Sequence, residues 1–471
     1  MAKMMGNSIW GGRGISRRDF AAFAAAGLLS LRKAWSQDLA WSQDLSGILG
    51  RIRPPQFPDR DFDIRTYGAA GDGKTDCRAS FAKAIAECHA AGGGRVVVPA
   101  GAYLCNGPIH LAGNVNLHVT EGATIRFGTN PADYLPPVLV RWESTRCYNY
   151  SPLIYAFRQE NIAITGSGTL DGQAQEFWGE WKTKQTPDQD ALREMGANAV
   201  PLEKRKFGAG HYLRPSMCEF YDCRNVLIEG VSLTRSPFWT LHPVFCTNVT
   251  IRGVHVHRGT TNDDGCDPDS CRDVLIEDCE FDTADDSVSI KAGRDGDAWG
   301  GRPCENIVIR RCHSKRTEAN AYTIGSEMSG DVRDVFILDC TASETAKSVL
   351  YIKSNSDRGG VVENVWVRGV RAEAGDICIQ LQTDYKGVKD HAYPPRYRNF
   401  HFENVQCGKA RRTGISVMGI AGKPIEGLSL KDVTIGSAAT AVQIADARDV
   451  KMQNVHINGR LIGQPDEPNQ E

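Results

Sequence analysis

Residues 248–281 read NVTIRGVHVHRGTTNDDGCDPDSCRDVLIEDCEF, and the stretch opens and closes on one phrase. NVTIRGVHV at 248 and DVLIEDCEF at 273 each begin with Asn or Asp, alternate apolar residues, pass two positions and reach Val or Cys. The phrase recurs as NIAITG at 161, NVLIEGVSL at 225, NIVIRRCHS at 306, DVFILDCTA at 334, NVWVRGVRA at 364, NFHFENVQC at 399, EGLSLKDVTI at 426 and DVKMQNVHI at 449. After the first gap the spacings run from 23 to 35 residues. Alternation with period two marks a strand, and a repeat of this length marks a solenoid. One slot holds Val231, Val254, Cys279, Cys312, Cys340, Val370, Val405, Val433 and Val455, as one inward stack would. Short strands joined by bends, with no helices between them, predict an all-β chain wound as a parallel β-helix. The recurring Asn or Asp suits an internal ladder in one bend. A propeller is the rival, but its period is about 40 residues or more.

Two acidic clusters interrupt the repeat. The first is Asn262-Asp263-Asp264, followed by Gly265 and Asp267; the second is Asp285-Asp286. From Asp264 to Asp286 is 22 residues, about one winding. Adjacent strands lie roughly 4.7–4.9 Å apart, so the carboxylates would share one site. Crowded carboxylates do not titrate alike, because like charges raise one pKa. An acid and a base at one site are what glycosidic cleavage needs. Either cluster alone reads as an Asp-rich turn; the pair, one winding apart, reads as chemistry.

The remaining composition narrows the choice. Lys+Arg total 55 and Asp+Glu 57, a net charge of −2, which argues against a general nucleic-acid or membrane surface. The 15 Cys contain no CxxC pair, so they read as small core residues rather than as a zinc site, with a disulfide or two left open. Ser16-Arg17-Arg18-Asp19-Phe20 before the apolar run Ala21 to Leu31 resembles a twin-arginine export signal. Residues 1 to about 45 are therefore set apart from the fold, and 46–471 are taken as one β-helix domain. Gly68-Ala69-Ala70-Gly71-Asp72-Gly73-Lys74-Thr75 fits the phosphate-loop pattern in full. Asp72 and Asp76 would repel a phosphate, so a turn followed by a capping helix is expected instead. Residues 128–160 and 173–215 interrupt the repeat with Tyr134, Trp142, Tyr148, Tyr150, Trp178, Trp181, His211, Tyr212 and Arg214. Such aromatics either stack on sugars or fill loop cores.

Seven segments together resemble glycoside hydrolase family 28, the polygalacturonases: GAAGDGKTD at 68–76, TGSGTLDG at 165–172, SPFWTLHP at 236–243, NDDGCDPDS at 262–270, ADDSVSIKAG at 284–293, IGSEMSG at 324–330 and IKSNSDRGG at 352–360. The resemblance implies a right-handed parallel β-helix and inverting hydrolysis of pectic galacturonides, without metal or cofactor. It implies that Asp285 protonates the leaving oxygen while Asp264 and Asp286 hold and activate a water. Inversion calls for acid and base roughly 6.5–9.5 Å apart. Asn262 opens the motif that holds Asp264 and is expected to bind substrate. Lys353 matches the Lys of the family's RIK motif, which binds a substrate carboxylate, and Tyr385 matches a substrate-binding Tyr. Lys291 and Arg294 follow the Asp pair, either to meet galacturonate carboxylates or as solvated charge.

Two positions depart from the family pattern. Asn320 stands where a His is expected before IGSE, and Tyr351 where an anion-binding Arg is expected. Both bear on substrate identity. His242 is a further substrate-binding candidate. His255 and His257 alternate with Val254 and Val256 and should face outward. The reading is an exported, monomeric hydrolase of an acidic plant-type polysaccharide, exo-acting if the two insertions close one end of the groove. A rhamnogalacturonan- or xylogalacturonan-cleaving relative, a β-helix lyase and a non-catalytic carbohydrate-binding solenoid are the alternatives.

Overall fold

The structure, a computed structural model, describes residues 44–386 and 392–463. The twin-arginine motif lies outside them. Two units are distinguished, Met1–Gly50 and Arg51–Glu471. Of the first, the described residues 44–50 are helical. The second is a parallel β-helix whose windings place three strands each on three ladders.

The repeat phrase forms the first ladder. Glu160–Gly166, Arg224–Glu229, Thr247–Arg252, Arg272–Glu277, Cys304–Arg310, Val332–Leu338 and Val361–Arg368 pair in parallel, each with the next. The second ladder follows the Val/Cys slot, through Ser232–Thr234, His255–His257, Glu280–Thr283, His313–Thr317 and Thr341–Thr345. The third runs through Cys218–Tyr221, Leu241–Val244, Val288–Ile290, Tyr322–Gly325 and Ser348–Lys353. Between Leu241–Val244 and Val288–Ile290 the third ladder thins to single bridges at Cys266 and Asp269. The two acidic clusters sit at that irregularity.

The periodic residues do what their chemistry favours. None of the nine slot residues is more than 2% exposed, so each winding buries its apolar face only against its neighbours. The phrase-opening Asn161, Asn225, Asn248 and Asp273 have φ of +54° to +59°. Asn and Asp tolerate this left-handed conformation better than other residues with a Cβ. Their side chains continue from winding to winding. Asn225 donates to Asn161 at 2.8 Å, Asn248 to Asn225 at 2.8 Å and Asn306 to Asp273 at 2.9 Å.

The first end is closed by the helix Arg78–Ala90, which places Phe81, Ala84, Ile85 and Cys88 in the main core. The phosphate-loop pattern before it is a self-closed turn. Asp72 accepts from the backbone of Lys74 and Thr75 and from the Thr75 hydroxyl, each at 2.8 Å, and so occupies the amides a phosphate would use. In the insertions, strands Val138–Trp142, Thr145–Asn149 and Lys206–Phe207 with helix Thr186–Ala197 enclose their own core around Trp142, Leu192, Phe207, Leu213 and Phe238. Tyr134, Tyr150, Trp178 and Trp181 are buried in edge-on pairs. These insertion aromatics fill cores and do not present sugar platforms. All 15 cysteines are free and buried.

Candidate active site

Folding brings both acidic clusters together. The nearest carboxylate oxygens of Asp264, Asp285 and Asp286 lie within 4.8 Å of one another. Asp263, which the sequence reading left without a role, fastens the two turns. It accepts from Gly259 N at 2.6 Å in its own turn, and from Ala284 N at 2.7 Å and Asp285 N at 3.1 Å in the next. Gly265 allows the close approach, since a Cβ there would stand 2.5 Å from the Ser287 carbonyl oxygen. The 4.8 Å is between nearest oxygens, a shorter length than the roughly 6.5–9.5 Å that separates whole carboxyl groups at inverting sites. Two causes keep the oxygens close: Asp285 and Asp286 are sequence neighbours, and Asp264 is one strand spacing away.

Such crowding requires the protons to be shared unequally. Burial, and then the nearby Asp267 and Asp285, raise Asp264 well above the usual carboxylate range. Burial, and then the charge of Asp286, raise Asp285. Asp286 is the exception. Burial would raise it too, but Lys353, Lys291 and a hydrogen bond from Asn320 overcome that effect and hold it below the usual range. Asp286 is therefore the ionised member, beside two groups that retain protons to higher pH.

The surroundings of Asp286 explain one departure from the family pattern. Asn320 donates to Asp286 Oδ1 from its side chain at 2.6 Å and from its backbone at 3.1 Å. Its own side-chain oxygen accepts from Ser348 N at 3.0 Å, which fixes the amide's orientation. Lys353 Nζ donates to Asp286 Oδ2 at 2.8 Å. Tyr351, the other departure, is buried and donates to Gln382 at 2.6 Å. The Lys353 ammonium lies 5.4 Å from the centre of its ring and 5.5 Å from that of Tyr385. Asn262 donates to Asp285 Oδ2 at 3.1 Å and accepts at 2.9 Å from both Lys182 and Arg214, two cations that reach in from an insertion.

Three further candidates are engaged by side chains of the protein itself. Lys291 is buried, bonds the Gly325 carbonyl at 3.0 Å and Glu327 at 3.4 Å, and lies 3.8 Å from Asp264. Arg294 lies among Asp295, Glu143 and Glu327 at 3.3–3.7 Å. Lys291 is an internal counter-ion, and Arg294, with 12% of its side chain exposed, is ion-paired to all three of its carboxylate neighbours. His242 is fully buried, 3.4 Å from Glu219 and 3.6 Å from Asp269. Burial opposes its protonation, but the two flanking carboxylates raise it to about 9. It lies edge-on to Trp239, whose ring centre is 4.8 Å from the Lys291 ammonium. His255 and His257 are exposed, as expected.

The sequence reading also missed Glu327 and Arg358, paired at 3.0 Å. Burial would raise Glu327, but Arg358, Lys291 and Arg294 hold it well below the usual range, so the site contains a second permanent carboxylate. A signal existed, since Glu327 lies in IGSEMSG and Arg358 in IKSNSDRGG. It went unread because charge pairing between two turns leaves no mark in spacing.

A parallel β-helix with a buried, unevenly protonated carboxylate cluster belongs to the carbohydrate-active class. Comparison with known proteins agrees. The sequence model for glycosyl hydrolases family 28 matches residues 88–456, and the chain belongs to that family; it is a glycoside hydrolase. It is 40% identical to a hyperthermoactive exopolygalacturonase from Thermotoga maritima, covering 89% of this chain and 96% of that one, with a TM-score of 0.83. A probable polygalacturonase of Vitis vinifera is 29% identical over 401 residues, covering 80% of this chain and 74% of the relative. The family 28 exopolygalacturonase of Yersinia enterocolitica has the same fold, with 20% identity, a TM-score of 0.68, and 86% and 76% of the two chains covered.

Proposed function

We propose that this enzyme hydrolyses galacturonosyl linkages of pectic polysaccharide from a chain end, with inversion. The observation that carries the reading is the unequal setting of the adjacent Asp285 and Asp286: the Lys353 ammonium and Asn320 donate to Asp286 at 2.8 and 2.6 Å, whereas Asp285 accepts from the neutral Asn262 at 3.1 Å. Asp285 keeps a proton to give to the leaving oxygen, and Asp286 is held ionised to take one from water. Carboxylate oxygens within 4.8 Å suit one water bridging Asp264 and Asp286, at roughly 2.7–2.8 Å from each. The water loses its proton to Asp286 as its oxygen bonds to the anomeric carbon. The glycosidic bond breaks, and the leaving oxygen takes the proton of Asp285. Lys353 would meet the substrate carboxylate from the Asp286 flank, with Tyr351 and Tyr385 beside the sugar.

The exo reading draws on the insertions, which bring Lys182 and Arg214 against Asn262 and Arg193 against Glu143, and so wall the site. The 40% identity to an exopolygalacturonase supports it. The test is reducing-sugar release from polygalacturonate and from rhamnogalacturonan, with products sized over time and Asp285→Asn as control. Early release of small products from polygalacturonate supports the reading, and early long oligomers overturn exo action. Release only from rhamnogalacturonan reassigns the substrate. Ultraviolet-absorbing unsaturated products lost to chelator would mean a lyase.

Export through a twin-arginine route is part of the proposal. That route carries folded proteins, which fits fifteen reduced, buried thiols. Among the described residues no helix is long and apolar enough to cross a membrane.

A further inference from the structure

Trp299, Tyr393 and Leu461 are the exposed large hydrophobic side chains among the described residues, and the first two touch. Their ring centres lie 3.9 Å apart with the planes tilted by 32°. An aromatic pair left 38% and 46% exposed, where every other described Phe, Tyr or Trp side chain is buried or half-buried, calls for a ligand.

The pair is held in place. The Trp299 indole N–H donates to the Arg358 carbonyl at 2.7 Å. Tyr393 is pinned by its backbone, its N–H bonding Ser356 O at 2.7 Å and its carbonyl accepting from Gly359 N at 2.6 Å. Gly359 keeps the floor low, since a Cβ there would stand 3.4 Å from the indole nitrogen. The rings rim a hollow of about 290 Å³ that Asp331 and Arg396 also line. The Arg396 side chain is exposed and has no ion-pair or hydrogen-bond partner among the described residues. Asp331 spends one oxygen on Val361 N at 2.8 Å and keeps the other as an acceptor.

This hollow lies on the turns that leave the third ladder after Lys291, Lys353 and Gln382. With windings about 4.8 Å apart, it sits on the order of 10 Å farther along the solenoid than Asp286. It also backs onto the catalytic charges, because Arg358, whose carbonyl holds Trp299, pairs with Glu327, and Glu327 with Lys291. A flat apolar face, a free guanidinium and a hydroxyl acceptor together fit a uronate sugar: ring on ring, carboxylate on cation.

We propose that Trp299, Tyr393 and Arg396 form an outer subsite that grips a uronate residue several units from the bond being cleaved, on the same polysaccharide chain. The proposal rests on the galacturonan reading above. The test compares tri- and hexagalacturonate as substrates for wild type, Trp299→Ala and Arg396→Gln, and measures hexagalacturonate affinity on the Asp285→Asn background. Wild type should gain kcat/KM with length, and both variants should lose most of that gain. Hexamer affinity should fall roughly tenfold, the equivalent of 1.4 kcal/mol. An unchanged length gain in Arg396→Gln, which removes an exposed cation without an ion-pair partner among the described residues, overturns the proposal. So does weakened binding of polymer alone with oligomer kinetics intact, which would mark a platform for a separate chain. A wild type that cleaves neither oligomer defeats the galacturonan reading instead.

Discussion

Lys353 and Asp286 are 67 residues apart in the chain, yet the ammonium and carboxylate meet at 2.8 Å, both buried. The pair makes one aspartate of three a base. Lys353→Met removes the nearer cation and lets burial raise Asp286. A base works only when ionised, so activity is lost as pH falls through its pKa. A higher pKa therefore moves the acid limb of the kcat/KM profile to higher pH. Each unit of displacement costs about tenfold in activity at acid pH. Leaving one buried charge uncompensated also costs about 3–5 kcal/mol of stability, which a lowered Tm would report.

Asp285→Asn keeps the shape of the acid and removes its proton. We expect kcat to fall by about 10² to 10⁴, the usual worth of general acid catalysis, with KM little changed. An aryl galacturonide whose leaving group needs no protonation should recover much of the loss. Equal losses on both substrates would remove Asp285 from the acid role.

Asn320 holds Asp286 by two hydrogen bonds and cannot titrate. Asn320→Ala should lower kcat and destabilise the fold by about 1–3 kcal/mol, because a buried carboxylate loses a donor. Asn320→His should retain more activity and add an ionisation near neutrality to the pH profile. A profile identical to wild type would show that the imidazole at this position does not titrate with the base.

Asp267 is fully buried, and neither oxygen finds a hydrogen-bond donor among the described residues. Burial, opposed by Lys291 and His242, pushes it up to about 8, and burial pushes Asp263 to about 7. Both are raised above their unfolded values, so the folded state binds more protons through this window. Stability therefore falls as pH rises from about 4 to about 8. Asp286 and Glu327 are lowered and act in the opposite sense, below that window. Tm should decline from pH 5 to pH 8 in wild type and decline less in Asp267→Asn.

The features legible in the sequence were those the solenoid repeats. Val231 through Val455 share a slot because each winding presents the same inward position, and Asn225 or Asn248 recurs because each winding needs the same left-handed bend. Asp264 and Asp286 were legible for the converse reason, as two breaks in that repeat one winding apart. Turn-to-turn contacts are not periodic and left no such trace. Lys291 and Arg294 read as free cations because their counter-ions, Glu327 and Glu143, come from other turns. His242 read as a cleft residue because nothing local shows that Glu219 and Asp269 enclose it. The insertion aromatics stayed undecided until Leu192 and Phe207 were seen to pack with Trp142.

The free cysteines are spread along the coil from Cys77 to Cys407, and every one is buried. A buried thiol meets an alkylating reagent only when its own winding opens. The chain thus contains a set of chemical clocks spaced along its axis. Reading which thiols are alkylated first under mild denaturant would show whether the solenoid unravels from an end or parts in the middle, with no label added to the protein.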